Sequence, residues 1–203
     1  MRALALLASC VAVALLVASC GSSAPRRTIV PMTPEAELSF ENGLDFIDDP
    51  SILEGNWLED WERDIAQRVE LCDAVLVVRI TAVHQNVDLE RNLSYRLVAH
   101  VETVRFGVGF EDEITFVSRQ GEVGYHSVNG NQSRLLQQQF VAYVRFVESE
   151  TGEPIARWHL SPAGDRIVRR TNSLLDGRRS GESRRRVIVH DSRDPSANEV
   201  PPE

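Results

Sequence analysis

Lysine is absent from this 203-residue chain, and all 22 basic residues are arginine. The bias reads as the base composition of a GC-rich genome, not as a mechanism. Cysteine is nearly absent as well. Cys10 and Cys20 fall in the first 20 residues, and Cys72 stands alone in the body, so no intramolecular disulfide is possible there. The five histidines, His84, His100, His126, His159 and His190, include no close pair of the H-x-x-x-H kind, and Cys72 has no neighbouring cysteine. That removes the sequence spacing of a metal site; only a fold that gathered His100 and His159 from two strands would restore one. No G-x-S-x-G is present, since Gly177-Arg178-Arg179-Ser180-Gly181 misses the spacing. Gly107-Val108-Gly109 lacks the third glycine and the helix of a phosphate-cradling loop. A net charge of −8 argues against a general nucleic-acid binder. No internal repeat is visible.

The longest apolar run, Ala3 to Ala18, spans 16 residues and is interrupted only by Ser9 and Cys10. A membrane span needs roughly 20 apolar residues. Preceded by Met1-Arg2 and followed by small residues, the run reads as a secretory signal peptide over residues 1–19. Its end, Val17-Ala18-Ser19-Cys20, resembles the lipobox of bacterial lipoproteins. The resemblance implies cleavage before Cys20, diacylglyceryl transfer to its thiolate, and acylation of the new amine. An ordinary cut near Ala24, or an uncleaved anchor, is the alternative. One acyl chain anchors only marginally, at about 0.8 kcal/mol per buried CH₂, whereas several hold a protein durably. Gly21, where an Asp would retain the protein at the inner membrane, implies the outer membrane of the bacterial cell envelope.

Residues 20–34 form a lipidated N-terminus and flexible tether. Residues 35–71 form a helical segment. Thr33-Pro34-Glu35-Ala36-Glu37 reads as a helix start, with a Thr cap and Pro in the first turn. Asn42-Gly43 ends it. A second helix is predicted over Gly55 to Leu71, with Trp57, Leu58, Trp61, Ile65 and Val69 on one stripe. Trp57 and Trp61, four residues apart, share a face, as a ligand-stacking pair or as packing onto a sheet.

At Cys72 the period becomes that of strands, and residues 72–170 form a β domain. The expected strands are Ala74–Val83, Tyr95–Phe106, Glu113–Arg119, Phe140–Val147 and Ile155–Leu160, with Arg166-Ile167-Val168 ending the sheet. Ala74 to Val78 is apolar on both faces, as a central strand is. In the second strand the apolar parity slips after Val101, which predicts a bulge near Glu102 or Thr103. Residues 171–203 read as a mostly disordered Arg-rich tail, with Val187-Ile188-Val189 as one further candidate edge strand. Charge is divided along the chain. Thr28 to Asp73 holds 13 acids and 2 arginines, and Gly164 to Arg186 holds 8 arginines and 3 acids.

The expected fold is mainly β: a small antiparallel barrel of five to six strands preceded by an amphipathic helix, with a β-sandwich as the alternative. The stretches Cys72 to Val78, Val101 to Gly107 and Phe140 to Phe146 resemble the OB-like, netrin-type small barrels of secreted bacterial proteins. The resemblance implies a fold, not an activity.

No catalytic set, metal site or cofactor site is expected. Cys72, at a helix–strand junction, reads as a small buried residue. Binding candidates are Tyr125 and His126 in the long loop Gln120 to Leu135, together with Tyr143 and Trp158 on strands. Paired carboxylates of a hydrolase would have to come from Asp60 and Asp64 or from Glu111 to Glu113. The expected role is a non-catalytic, lipid-anchored envelope protein that binds another envelope protein or a glycan, with a hydrolase, an inhibitor or a structural spacer as alternatives. Its expected contact with the membrane is the lipid on Cys20. Substituting Cys20→Ala should abolish palmitate labelling in cells and move the protein from the membrane fraction to the soluble one.

Overall fold

The computed structural model describes residues 31–149 and 152–191, the last ten of these in backbone only. The expected signal peptide, the lipobox-like stretch with Cys20, the expected tether up to residue 30 and residues 192–203 lie outside the described residues.

The chain begins with a short helix, α1 (Pro34–Ser39), capped as its sequence predicts by Thr33, whose Oγ1 accepts from the Ala36 amide. A two-residue strand, β1 (Gly43–Leu44), and a 3₁₀ turn (Pro50–Ile52) lead to helix α2 (Asn56–Leu71). Then follow β2 (Ala74–Val87), β3 (Leu93–Phe106) and β4 (Glu113–Arg119). Two single-turn helices, α3 (Tyr125–Val128) and α4 (Gln132–Leu135), precede β5 (Gln139–Glu148) and β6 (Pro154–Pro162). The long helix α5 (Asp165–Asp191) closes the order.

All six strands form one mixed sheet in the order β1-β6-β5-β2-β3-β4. One sheet is not a sandwich. Nor is it purely antiparallel, because β1 runs parallel to β6, pairing Gly43 with His159 and Leu44 with Leu160. The sheet is curled into a half-barrel. Three strands separate β4 from β6, yet the Trp158 indole N–H donates to the Val117 carbonyl at 3.2 Å and its ring lies 5.2 Å from that of Phe116. Curling is built into the β2–β3 ladder. Val77 pairs with Thr103 and Val78 with Val101, so Glu102 is the extra residue of a bulge where the parity slip predicts one, and the register shifts again at Arg105 and at Thr81.

The inner face carries Leu76, Val78, Leu97, Phe116, Ala142, Val144, Trp158 and Leu160, all buried. The 120–135 stretch is not a plain hairpin. Its turns α3 and α4 place Tyr125, Val128 and Leu135 into this same core. Backbone meets backbone there: a Cβ on Gly43 would come within 2.5 Å of the Gly124 Cα, so only glycine fits at this crossing.

The outer face of the central strands is covered by helices. Val75, Val141 and Tyr143 pack with Ala36, Phe40, Trp61, Ile65, Val69, Ile167 and Leu175. Helix α2 matches its predicted span with one correction, since Trp61 is buried but Trp57 is 76% exposed. At about 100° per residue the buried stripe centres on Ile65, and Trp57 lies roughly 80° from it, past the rim.

Two further expectations give way. Arg166-Ile167-Val168 does not end the sheet but opens α5, and Val187 to Val189 continue that helix and add no edge strand. The expected tail is helical as far as Asp191 because its first turns have a surface to bury. Ile167, Thr171 and Leu175, spaced by four, face the sheet. The Tyr143 hydroxyl meets Thr171 Oγ1 at 2.7 Å. Arg178 donates to the carbonyls of Val69 and Cys72 at 2.7 and 2.9 Å, satisfying the C-terminal end of α2, and lies over the Phe106 ring at 4.5 Å. Tyr143→Phe leaves the buried Thr171 hydroxyl without this partner and should cost about 1–2 kcal/mol in denaturant unfolding. Adding Thr171→Val should recover part of that loss, a non-additivity that a double-mutant cycle reads directly.

Candidate functional site

The residues singled out in the sequence are not brought together. Trp158 is buried on the inner face and Tyr143 on the outer face, as successive directions of a pleated sheet require. Tyr125 is buried, stacked on Tyr95 with ring centroids 5.6 Å apart, while Tyr95 donates to Asn129 Oδ1 at 2.8 Å. His126 is exposed and sets its ring edge-on to Tyr125. His100 is exposed on β3 and His159 is buried on β6, with β5 and β2 lying between the two strands. Among the described residues no three His, Cys, Asp or Glu side chains converge as metal ligands. Asp60, Asp64 and Glu111 to Glu113 are all exposed. Cys72 is fully buried, and burial pushes its thiol up to about 12 against the opposing charge of Arg178.

One cluster has the composition of a nucleophilic triad without its wiring. His159 Nε2 and Ser161 Oγ both donate to Asp45 Oδ2, at 3.1 and 2.6 Å. In a triad the histidine stands between serine and carboxylate; here the carboxylate stands between the other two. Burial depresses the basicity of His159, aided by the charge of Arg68 and opposed by Asp45. A neutral ring that donates from Nε2 leaves Nδ1 a bare acceptor, and that buried atom has no hydrogen-bond partner among the described residues. For Asp45, burial pushes upward, but the hydrogen bonds from His159, Ser161 and the Ile47 amide prevail and its carboxyl sits low. Nearby Glu41 is raised by burial, with Arg68 opposing. The cluster pins the segment after β1 to the outer side of β6.

A cleft of about 520 Å³ opens beside that segment, where β5 begins and β6 ends against the middle of β2. Its lining includes Phe46, Asp48, Arg79, Arg134 and Gln137 to Gln139. The bulge builds one wall. Glu102, displaced from the ladder, takes Arg79 Nε at 2.7 Å and Gln139 Nε2 at 2.6 Å. These bonds, with the Gln139 contact foremost, hold its carboxyl below the usual range. Arg79 in turn donates to the Gln137 carbonyl at 3.1 Å. Gln137 sits at φ +63°, a left-handed conformation unusual outside glycine. It is fixed there from both sides, because its amide donates to Ile80 O at 2.8 Å and the Ile80 amide donates to Gln138 O at 3.1 Å. Across the opening, the Arg134 guanidinium lies over the Phe46 ring at 4.2 Å. One carboxylate, Asp48, lines the cleft.

No protein-family model matches this chain. No curated protein matches its sequence either. Sequence reasoning missed the cleft because its lining comes from four separate segments. The signal that was present is Gln137-Gln138-Gln139, a polar run just before a strongly apolar strand.

The Asp45–His159 pair makes stability depend on pH. The folded state disfavours protonated His159, so that contribution is complete above its ordinary 6.5 and is lost as pH falls through the lower folded value. The contribution of Asp45 is present above its ordinary 3.8 and is lost below it. Urea unfolding followed against pH should show a first decline beginning below 6.5 and a second below 3.8. His159→Gln should erase the first and keep the second.

Proposed function

We propose that this chain is a lipid-anchored protein of the bacterial cell envelope, held at the outer membrane through acylated Cys20. Its half-barrel, of OB-like style, serves as a non-catalytic binding module. The ligand is an envelope glycan or an envelope protein, and the binding site is the cleft at the start of β5 and the end of β6, beside Arg79 of β2. The observation that carries the reading is that cleft's construction: polar groups aimed into an opening and fixed by strand ends and a bulge. Recognition is favoured where a rigid scaffold holds a few convergent polar groups. The lining holds a single carboxylate, whereas glycoside hydrolysis in its usual form uses two flanking the bond. No helix among the described residues is long and apolar enough to cross a membrane, and the lipid supplies the attachment in this reading.

In-cell photo-crosslinking of the natively anchored full chain tests it. A photoreactive residue at Gln138, inside the cleft, should give a discrete adduct identified by mass spectrometry. The same probe at Arg63, on the exposed side of α2, should not. The adduct should disappear when Cys20→Ala releases the chain. Equal adducts from both positions, or none from position 138, would remove the cleft as the binding site.

A further inference from the structure

The cleft's charges and hydrogen-bonding groups select among ligands. Arg79 is neutralised by Glu102, which lies 2.7 Å from its NH2, and its NH1 is held by the Gln137 carbonyl. It shapes the wall and has little left to offer a ligand. Arg134 is different. Among the described residues no carboxylate lies within ion-pair distance of it. Among the described residues the one polar contact of its guanidinium is Asn131 Oδ1, at 3.3 Å from Nη1, and its plane rests on Phe46. Stacking orients the guanidinium and leaves its edge donors available, an arrangement that suits bidentate capture of a carboxylate.

The total charge limits the anion. Arg79 and Arg134 face Glu102 and Asp48, so the cleft and its wall are balanced. A monoanion paired with Arg134 leaves one negative charge in excess, that of Asp48, which lies outside ion-pair distance of Arg134. A phosphate dianion would add a second negative charge beside Asp48 with no second free cation to meet it.

The rest of the wall favours hydroxyls. The side chains of Gln137 and Gln138 are exposed and engage no protein partner among the described residues. Each amide offers donors and an acceptor, matching hydroxyl groups that both donate and accept. Peptide side chains would find little apolar lining, because Phe46 is covered by Arg134 and Phe140 is 3% exposed. About 520 Å³ falls within the range of small-ligand sites. The left-handed Gln137 also costs energy, and over-determined strain of this kind concentrates at ligand clamps.

We infer that the cleft binds a saccharide bearing a single carboxylate, with Arg134 taking the carboxylate and Gln137 and Gln138 the ring hydroxyls. The inference rests on the reading of the chain as a binding module and narrows that module's ligand to one chemical class.

Titration calorimetry on the purified full chain tests it with two matched pairs of disaccharides. One pair is cellobiuronate against cellobiose, and the other is N-acetylglucosaminyl-N-acetylmuramate against N,N′-diacetylchitobiose. Within each pair the carboxylate is the variable, and the two pairs separate a uronic acid from a lactyl ether as its source. The acidic member of at least one pair should bind about tenfold tighter than its neutral partner. Arg134→Gln should reduce that preference to none while neutral-sugar affinity is kept. Arg134→Lys, which keeps the charge and loses the planar fork, should fall between. Gln138→Ala should weaken both members alike. Both positions are exposed, and unchanged thermal unfolding would show that the variants are folded.

Equal binding of acid and neutral members, or an acid preference that survives Arg134→Gln, overturns the inference. So does the absence of binding by either acid. If binding is absent but position 138 still crosslinks to an anchor-dependent partner, the binding-module reading stands and the saccharide does not. If both fail, the cleft is not a ligand site.

Discussion

Everything in this molecule follows from two strands that are apolar on both faces. β2 and β5 lie side by side at the middle of the sheet, with Val75 opposite Tyr143 and Leu76 opposite Ala142. Burying one face of such a pair is not enough. Each fully buried large apolar side chain is worth about 1.5–3 kcal/mol relative to exposure, and half of them would be left in water. The inner face is solved by curling the sheet so that Phe116 and Trp158 meet across it. The outer face needs a second layer, and α2 with the first half of α5 supplies it. The basic end of the chain is therefore tied to the acidic front by packing, with Arg170 to Glu62 at 2.8 Å as an accompaniment. Exposed pairs of that kind contribute little by themselves.

The same constraint decides where chemistry can sit. The interior of the half-barrel is filled by side chains and by the turns α3 and α4, and Trp158 and Tyr125 belong to that packed core. Polar groups are pushed to the rim, where strands end and the ladder fails. The bulge that curls the sheet also displaces Glu102, and Glu102 holds Arg79, which holds Gln137. Of the three irregularities in the β2–β3 ladder, the one at Glu102 serves both curvature and site. On the other side of β6 the Asp45–His159–Ser161 cluster fastens the segment that carries Phe46 and Asp48, so both walls of the cleft are anchored to the sheet.

Much of this was legible in advance where periodicity is strong. Helix α2 shows a stripe at spacings of three and four, and β5 alternates Phe140, Ala142 and Val144 against Val141 and Tyr143. The bulge at Glu102 was readable as a slip in parity. Helix α5 was not. Its stripe of Ile167, Thr171 and Leu175 is thin and is interrupted by Asn172, Gly177 and Gly181, poor helix formers that read as a tail. Its stability comes from the sheet it covers, which local propensity does not contain. β1 has two residues and exists only because β6 offers it an edge. Tyr143 and Trp158 were visible as aromatics, but whether they face a ligand or a core depends on what covers each face.

The sequence by itself determined the signal-like start ending in Cys20, the α2 helix, the five longer strands and the absence of any close catalytic or metal-binding spacing. These are local properties, set by residue type and by the 3.6- and 2-residue periods. Only the tertiary structure decided that the sheet is mixed and half-closed, that α5 is a layer and not a tail, and that Phe46, Arg79, Arg134 and Gln137 share one opening. Those outcomes depend on contacts between segments far apart in the chain. Sequence records which residues have surface to bury, and only folding settles which partner each one finds.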